Sequence, residues 1–386
     1  MTRSQRFVDQ PDQLAECAQD IARSPRVGLD TESNGFHAYF EKVCLLQIAT
    51  PEADWAVDTL ALRIEPLVPL LADRSRECIL HAAEYDVLCM KRDYGLSFGR
   101  IFDTHAAAKA LGIEKVGLHG LLAEQLGVNL EVDEQRSDWG KRPLSAKQLE
   151  YAFADVRFLL PLREKLGEQV AARGLTAEAE AEFARLIAKE PRLREFDPEG
   201  WQRMKAARTL DGRGRAVLRE LYLLRDRRAR ELDRPAFKVL SDLFLAETAR
   251  RLPKNQAELS RVPGTSPAAL SRIGNQVIEA VNQGMEAAPL GRPRPAGNNR
   301  QGGAASPEIE DRYELLRAWR KGRAEARKVE VQVIAPNAVL WAIARGNPGD
   351  LGALSAVDGM DPFRVEQYGA AILEVLRAQP QQQKLV

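Results

Sequence analysis

The sequence predicts an α/β domain, with a mixed sheet flanked by helices, followed by two small all-α domains. Short apolar runs typical of strands alternate with helical segments over residues 12–90, and the patterns are mostly helical from residue 103 onward. Residues of the second half also recur at a constant spacing of 95 positions. Alternating strands and helices are typical of α/β layers, and a constant offset without gaps indicates a duplicated unit.

Length and composition limit the classes of protein to which this chain can belong. A chain of 386 residues can form two or three domains with their own cores. No apolar run approaches the length of a membrane span, and residues 1–6 lead into no apolar segment, so neither a span nor a secretory signal is expected. The four cysteines are widely spaced and form no Cys-x-x-Cys pair. This usage favours reduced thiols in a cytoplasmic protein and argues against a zinc site.

The charge is distributed unevenly along the chain. Residues 1–190 hold 23 lysines and arginines against 31 aspartates and glutamates, whereas residues 191–386 hold 33 against 24. An acidic half is therefore joined to a basic half. Basic segments commonly neutralise nucleic-acid phosphates, which favours a nucleic-acid partner, and the alternative is a set of solvated helix faces.

Four strands are predicted in the first half. The first runs over residues 27–32 and ends with Asp30 and Glu32, which the two-residue period of a strand places on one face. Two more strands follow at 44–49 and 55–58, and a fourth at 78–81 leads into a helix.

Two later helices carry polar residues of interest. Asp103 begins a helix through residue 110, and we expect it to act as a cap rather than as a metal ligand. Ser145-Ala146-Lys147-Gln148 has the spacing of a capping box, so the next helix begins there. Tyr151 and Asp155 lie four residues apart on this helix and share one face.

The pattern of the second half predicts two copies of one small helical domain. Leu221, Arg225, Pro253 and Gly264 recur 95 residues later, as Leu316, Arg320, Pro348 and Gly359. The segment between the copies is rich in Pro, Gly, Asn and Ala and is typical of a flexible linker. We predict a first domain over 1–190, a connector over 191–205, helical domains over 206–288 and 307–380, the linker over 289–306 and a tail over 381–386.

Four acidic residues are candidates for a metal site: Asp30, Glu32, Asp86 and Asp155. Each has a structural alternative, since Asp86 could cap its helix, Asp155 could form a surface ion pair, and the strand-end pair could close a turn. Together they suit phosphodiester cleavage with two divalent ions, because Mg²⁺ and Mn²⁺ prefer carboxylate, water and phosphate oxygens.

Longer motifs resemble a known family. Asp30-Thr31-Glu32, Tyr85-Asp86 and Tyr151-x-x-x-Asp155 are similar to the three exonuclease motifs of the DEDD superfamily in its tyrosine-bearing branch. The surrounding sequence is similar to the ribonuclease D family, and the repeated units resemble HRDC domains. The segments that carry this likeness are His81-Ala82-Ala83-Glu84-Tyr85-Asp86, Ile101-Phe102-Asp103-Thr104, Ser137-Asp138-Trp139 through Arg142-Pro143-Leu144, and Tyr151-Ala152-Phe153-Ala154-Asp155-Val156.

The resemblance implies a ribonuclease H-like first domain and a metal-dependent 3′→5′ exoribonuclease that releases nucleoside 5′-monophosphates. It assigns two divalent ions, Mg²⁺ or Mn²⁺, to the four carboxylates, with Asp86 acting through water molecules. Tyr151 would orient or deprotonate the attacking water. The RNA partner would be a structured molecule such as a tRNA precursor, no membrane partner is expected, and protein partners are not indicated.

Residues outside the carboxylate group are candidates for RNA binding. The family usually places an aromatic directly after the first-motif glutamate, whereas this chain has Ser33. Base stacking is therefore assigned to Phe36, Tyr39 or Phe40, with a role in the core as the alternative. Phosphate contacts are assigned to arginines of the helical copies, namely Arg225, Arg227, Arg228 and Arg320, with solvated faces or docking to the acidic half as the alternatives.

Two other functions compete with the exoribonuclease. One is a DNA exonuclease in repair, and the other is a non-catalytic RNA-binding scaffold with a degenerate nuclease fold. The presence of all four carboxylates and the tyrosine argues against the scaffold. A helicase is disfavoured because the sequence has no Gly-x-x-x-x-Gly-Lys-Ser/Thr loop.

Overall fold

The computed structural model describes residues 3–131, 134–191, 195–264, 267–293 and 306–378. Most of the predicted linker (294–305) and the predicted tail (381–386) lie outside the described residues. The chain forms two compact units, the first comprising residues 1–32, 43–191 and 303–386 and the second residues 33–42 and 192–302. The domain boundaries given above stay a prediction.

One six-stranded mixed sheet is the centre of the first unit. Its order is β1-β4-β3-β2-β5-β6. Strands β1 and β4, β2 and β5, and β5 and β6 pair in parallel, whereas β3 and β4 are antiparallel, which confirms the predicted mixed α/β architecture. The strands are β1 Ser4–Val8, β2 Arg26–Ser33, β3 Val43–Ala49, β4 Ala53–Asp58, β5 Glu77–Leu80 and β6 Ile101–Asp103.

Two of these strands, β1 and β6, are absent from the sequence-based prediction. The sequence of β1 shows no alternation of apolar and polar residues. The strand is largely exposed because it lies at the edge of the sheet. β6 is only three residues long and runs directly into a helix. β1 lacks the buried apolar run that identifies β3 and β4, and β6 is fully buried but too short to show such a run.

Eight helices accompany the sheet in the described residues before position 191. They cover its apolar side chains and form with them a continuous core that includes Ile21, Leu29, Ile79 and Leu162. The helices are α1 Pro11–Arg23, α2 Val68–Leu71, α3 Glu84–Tyr94, α4 Thr104–Ala110, α5 Leu118–Leu126, α6 Ala146–Arg157, α7 Leu159–Ala172 and α8 Thr176–Ile187.

The predicted helical duplication is confirmed element by element. Helices α11, α12 and the start of α14 recur, as α16, α17 and the start of α19, at the 95-residue offset seen in the sequence. The first copy belongs to the second unit and contains a 3₁₀ turn Gly200–Arg203, α9 Lys205–Thr209, α10 Gly212–Glu231, α11 Ala236–Val239, α12 Asp242–Arg251, α13 Gln256–Leu259 and α14 Pro267–Glu286. The second copy belongs to the first unit and contains α15 Pro307–Arg327, α16 Val331–Ile334, α17 Asn337–Gly346, α18 Leu351–Ser355 and α19 Pro362–Arg377.

Each copy has its own apolar core. Leu221, Phe244 and Val277 are central to the first, and Leu316, Leu340 and Ile372 to the second. The two cores explain why the apolar positions repeat at a fixed offset, since each copy buries the same face of its long helix.

The second copy packs against α8 within the first unit. The Arg327 guanidinium donates to both carboxylate oxygens of Glu178, at 3.0 and 2.8 Å, and also to the Tyr368 hydroxyl. Glu178 is buried, so this is a paired buried charge rather than a surface contact. Lys109 of α4 and Glu330 form a second ion pair at 2.9 Å. Part of the basic character of this copy thus serves contacts with the acidic half.

No helix in the described part of the chain is both long enough and apolar enough to cross a membrane.

Candidate active site

Strand β2 presents Asp30 and Glu32 on the same face, as its two-residue period predicts. Gly28 lies on that face two residues earlier, and because it has no side chain, neighbouring segments can pack closely against it. A Cβ there would lie 3.1 Å from the Val156 carbonyl oxygen, 3.1 Å from the Leu159 Cβ and 3.2 Å from the Ala49 Cβ. Gly28 therefore allows the α6–α7 junction to approach the strand closely, which brings Asp155 to the carboxylates of β2.

Helix α6 carries the other two residues of the predicted site. Its N-terminus is closed by the predicted capping box, in which the Gln148 amide donates to the Ser145 hydroxyl and the Gln148 side chain accepts from the Ser145 amide. Tyr151 and Asp155 are both buried on the face that packs against β3 and β4. The charge of Asp155 acts on the Tyr151 phenol and helps to raise its pKa.

Three of the four predicted carboxylates form one cluster. Asp30, Glu32 and Asp155 each offer an oxygen that lies within 4.8 Å of the others. Asp86 is not part of this group of three. It is buried at the start of α3 and accepts a hydrogen bond from the Thr31 hydroxyl at 2.5 Å, so it is tied to the strand segment between Asp30 and Glu32.

The electrostatics show that all four groups act on one another. Burial raises the pKa of Asp30 well above its usual range, and the charges of Asp86, Asp155 and Glu32 raise it further. Burial together with Asp155 and Asp86 raises the pKa of Glu32 to about 9. Burial also raises the pKa of Asp86 to about 7, although the hydrogen bond from Thr31 opposes this shift. Such crowding of buried carboxylates is unfavourable unless positive charge is added.

The donor set fits divalent cations. A cluster of carboxylate oxygens without histidine or thiolate ligands suits hard ions such as Mg²⁺ and Mn²⁺. Bound cations would lower the raised carboxylate pKa values, and each additional positive charge would reduce the repulsion between the three clustered groups.

Tyr151 keeps its proton in this environment. Burial and the neighbouring Asp155, Glu32 and Asp30 raise the pKa of its phenol far above the ordinary value. The hydroxyl is therefore protonated at neutral pH in the metal-free protein.

Asp103 has the structural role predicted for it. Its carboxylate accepts from the His105 and Ala106 amides and so caps α4. It also accepts from the Ala82 and Ala83 amides, both at 3.0 Å. The same group therefore holds the turn that precedes Asp86.

A polar centre around Arg142 was not assigned a role from sequence. Its guanidinium donates to both carboxylate oxygens of Asp58, at 2.6 and 2.7 Å, and to the carbonyls of Cys44, Trp139 and Lys141. These bonds join the ends of β3 and β4 to the loop that contains Trp139. The Trp139 ring is fully buried beside Tyr151, with ring centroids 6.1 Å apart, so Arg142 supports the wall behind the tyrosine.

Arg142 also determines the charge state of Asp58. Burial alone would raise the pKa of Asp58, but the hydrogen bonds from Arg142 and from the Leu60 amide outweigh it, and the pKa is lowered. The only sequence signal for this contact was the similarity of Arg142-Pro143-Leu144 to a family motif, which names no partner.

The three predicted stacking residues differ in their surroundings. Phe36 and Phe40 are exposed, at 61% and 57%. Tyr39 is instead held within the second unit, where its hydroxyl donates to Asp226 at 2.7 Å. Exposed rings are available to a ligand, and Tyr39 serves as an anchor for its loop.

The structure contradicts the phosphate-contact prediction for Arg225 and Arg320. They occupy equivalent positions in the two copies, and both are buried. Arg225 donates to the Leu240 carbonyl and Arg320 to the Ala335 carbonyl, each fifteen residues along the chain. Arg225 also pairs with Asp242. A guanidinium enclosed in this way holds its own helical copy together and cannot reach a polynucleotide. The repetition of the arginine thus reflects folding.

The remaining two predicted arginines lie at the surface of α10. Arg227 is exposed, and Arg228 is half-buried and paired with Glu231. Their contact with RNA stays a prediction.

Comparisons with known proteins agree with this geometry. A family model described as 3′-5′ exonuclease matches residues 5–171, and the HRDC domain model matches residues 214–281 and 309–376. The chain is 32% identical over 378 residues to ribonuclease D of Jannaschia sp. (strain CCS1), covering 95% of this chain and 94% of the relative. It is 31% identical over 373 residues to ribonuclease D of Pseudomonas paraeruginosa (strain PA7), covering 95% and 96%.

A solved structure is similar to this chain over nearly its whole length. The crystal structure of Escherichia coli RNase D, described as an exoribonuclease involved in structured RNA processing, is 25% identical, with a TM-score of 0.66. The match covers 99% of this chain and all of that one. With its exonuclease domain, two HRDC domains and similarity to full-length relatives, this chain belongs to the ribonuclease D family of 3′→5′ exoribonucleases.

Proposed function

We propose that this enzyme uses two divalent ions, Mg²⁺ or Mn²⁺, to trim the 3′ ends of structured RNAs such as tRNA precursors. The observation that carries the proposal is the cluster of Asp30, Glu32 and Asp155 within 4.8 Å, with Asp86 coupled to it. Two such ions supply activation of a water nucleophile and charge stabilisation of the departing 3′ oxygen.

The chain's own residues have distinct roles in this proposal. Asp30, Glu32 and Asp155 would hold the ions directly, and Asp86, which is tied to Thr31, would act through water molecules. Tyr151, whose phenol stays protonated beside Asp155, would orient the attacking water.

The second half of the chain supports a structured substrate. It carries the excess of lysine and arginine, and phosphate contacts give affinity without reading bases. The chain also matches a solved enzyme described as acting in structured RNA processing. The four cysteines are buried and form no disulfide, which suits a reducing compartment such as the cytoplasm.

The test is release of label from the 3′ end of a tailed tRNA with Mg²⁺ or Mn²⁺. We expect Asp30→Asn and Asp155→Asn to abolish release, because each removes a charged oxygen ligand of nearly unchanged shape. Glu150→Gln is the matched control, since Glu150 is exposed on the same helix as Asp155. Continued trimming by either aspartate variant, with RNA still bound, would refute the assignment. A tailed tRNA that is no better a substrate than an unstructured RNA would refute the proposed substrate class.

A further inference from the structure

An exposed apolar patch lies where the loop after β2 meets the first helical copy, within the second unit. Eight large hydrophobic side chains are exposed among the described residues, and four of them fall in two short segments, 36–40 and 232–237. These are Phe36, Phe40, Leu232 and Phe237, at 61%, 57%, 47% and 57% exposure. Concentration of apolar surface in one place is a feature of binding sites, whereas scattered single residues are not.

The two segments are held together by specific hydrogen bonds. One carboxylate oxygen of Asp233 accepts from the backbone amides of both Tyr39 and Phe40, at 3.0 and 2.9 Å. The Tyr39 hydroxyl donates to Asp226, and the Arg230 guanidinium lies 5.6 Å from the centroid of the Tyr39 ring. Tyr39 is thus the anchored side chain, and the phenylalanines on either side of it stay exposed.

A further contact places Phe237 beside the same loop. Lys238 Nζ lies 3.1 Å from His37 Nδ1. Phe237 and Phe36 are the immediate chain neighbours of this pair, so the rings flank one junction between the loop and the α10–α11 region.

The same stretch of the first copy carries exposed cations, namely Arg227, Arg230, Arg234 and Lys238. Of its carboxylates, Asp226 and Asp233 are engaged by the loop and Glu231 pairs with Arg228. Exposed aromatic rings interleaved with lysine and arginine are the surface that single-stranded nucleic acids use, since bases stack on the rings and phosphates pair with the cations.

We propose that this patch binds the single-stranded 3′ tail of the RNA substrate, with bases stacked on Phe40 and Phe237 and phosphates paired with Arg234 and Lys238. The loop follows Ser33, the last residue of β2, so Phe36 lies four residues after the proposed metal ligand Glu32 on one continuous backbone. The inference rests on the proposed function in that the substrate is RNA with a single-stranded end. It adds residues of the first helical copy to the recognition of that end.

The test is equilibrium binding of a fluorescent twelve-nucleotide single-stranded RNA to the full chain in EDTA, which prevents cleavage. We expect Phe40→Ala and Phe237→Ala each to weaken binding about 5- to 100-fold, since base stacking on a ring contributes about 1–3 kcal/mol. Phe237→Trp should restore the affinity. Leu351→Ala is the matched control, because Leu351 is 48% exposed in the second copy.

Two further variants examine the phosphate contacts and the anchor. Lys238→Gln should lower the slope of log K against log salt by about 0.7, the value for one phosphate contact on a single strand. Asp233→Asn keeps the accepting oxygen and should bind as the wild type does, whereas Asp233→Ala should bind more weakly.

Unchanged affinity in both Phe40→Ala and Phe237→Ala would overturn the proposal. So would a patch that serves self-association, seen as a dimer of the wild type that these variants dissociate without loss of RNA affinity. Because binding is measured without metal, failure here is distinct from failure of the carboxylate assignment, which is measured by cleavage.

Discussion

Neutralising Glu32 is expected to stabilise the metal-free protein while abolishing its activity. The oxygens of Asp30, Glu32 and Asp155 lie within 4.8 Å of one another. Burial and this crowding raise the folded pKa of Glu32 to about 9, so the side chain keeps its proton at pH 8 when no metal is bound. Keeping that proton costs about 1.4 kcal/mol for each pH unit above the unfolded pKa of about 4.3. Glu32→Gln does not titrate, so we expect its free energy of unfolding to exceed that of the wild type by about 5 kcal/mol at pH 8 in EDTA.

The sign of the pH dependence follows from the raised pKa of Glu32. An unfolded glutamate titrates near pH 4.3, whereas burial and its neighbours raise the folded pKa to about 9. Below about pH 4.3 the group is protonated in both states and costs nothing. Between about pH 4.3 and pH 9 the Glu32 side chain is ionised in the unfolded chain but still protonated in the folded chain. The free energy of unfolding of the wild type therefore falls as pH rises through this window, whereas that of Glu32→Gln does not.

The assay is urea unfolding in EDTA at pH 4.5 and pH 8, followed by hydrogen exchange of the β2 amides, with Glu150→Gln as the exposed control. Excess Mg²⁺ should then stabilise the wild type, by about 2.7 kcal/mol at one hundred times its dissociation constant, and the variant much less. A variant that gains equally at both pH values, or gains nothing at pH 8, would refute the repulsion argument.

Three further predictions follow from the structure. Tyr151→Phe should keep the fold and RNA affinity but lower kcat by about 10²- to 10⁴-fold, because only the hydroxyl proposed to orient the water is lost. Single-turnover cleavage measures this, and an unchanged rate would contradict it. Arg142→Met leaves the buried Asp58 carboxylate without its cation and should lower the free energy of unfolding by about 3–5 kcal/mol. Arg142→Met/Asp58→Asn should recover part of this loss in urea unfolding. A loss below about 1 kcal/mol would show that the contact is unimportant. Arg327→Met should increase the rate of amide hydrogen exchange in α8, because it leaves the Glu178 carboxylate buried and unpaired. Arg327→Met/Glu178→Met should return the exchange rate toward the wild-type level. Equal exchange rates in all three proteins would contradict this.

Much of the fold could be predicted from local patterns. The fully buried strands β3 and β4, the capping box before α6 and the 95-residue duplication are each visible in short stretches of sequence. The edge strand β1 was missed because an edge strand needs no apolar run, and its partners are about fifty residues away in the chain.

The family assignment also decides between the functions that the sequence left open. Relatives named ribonuclease D, matched over nearly their whole length, support the exoribonuclease rather than a DNA exonuclease or an inert scaffold.

The sequence by itself determined the type of chemistry: carboxylates in the order and spacing of three exonuclease motifs, followed by two copies of a basic helical module. What only the tertiary structure decided is which side chains face solvent and which face each other. Arg225 and Arg227 are two residues apart in one basic run, yet the first is buried against Leu240 and Asp242 and the second is exposed. Charge is a property of the residue, whereas burial depends on the packing of distant segments, so a basic run cannot show which arginines hold the fold and which remain available to RNA.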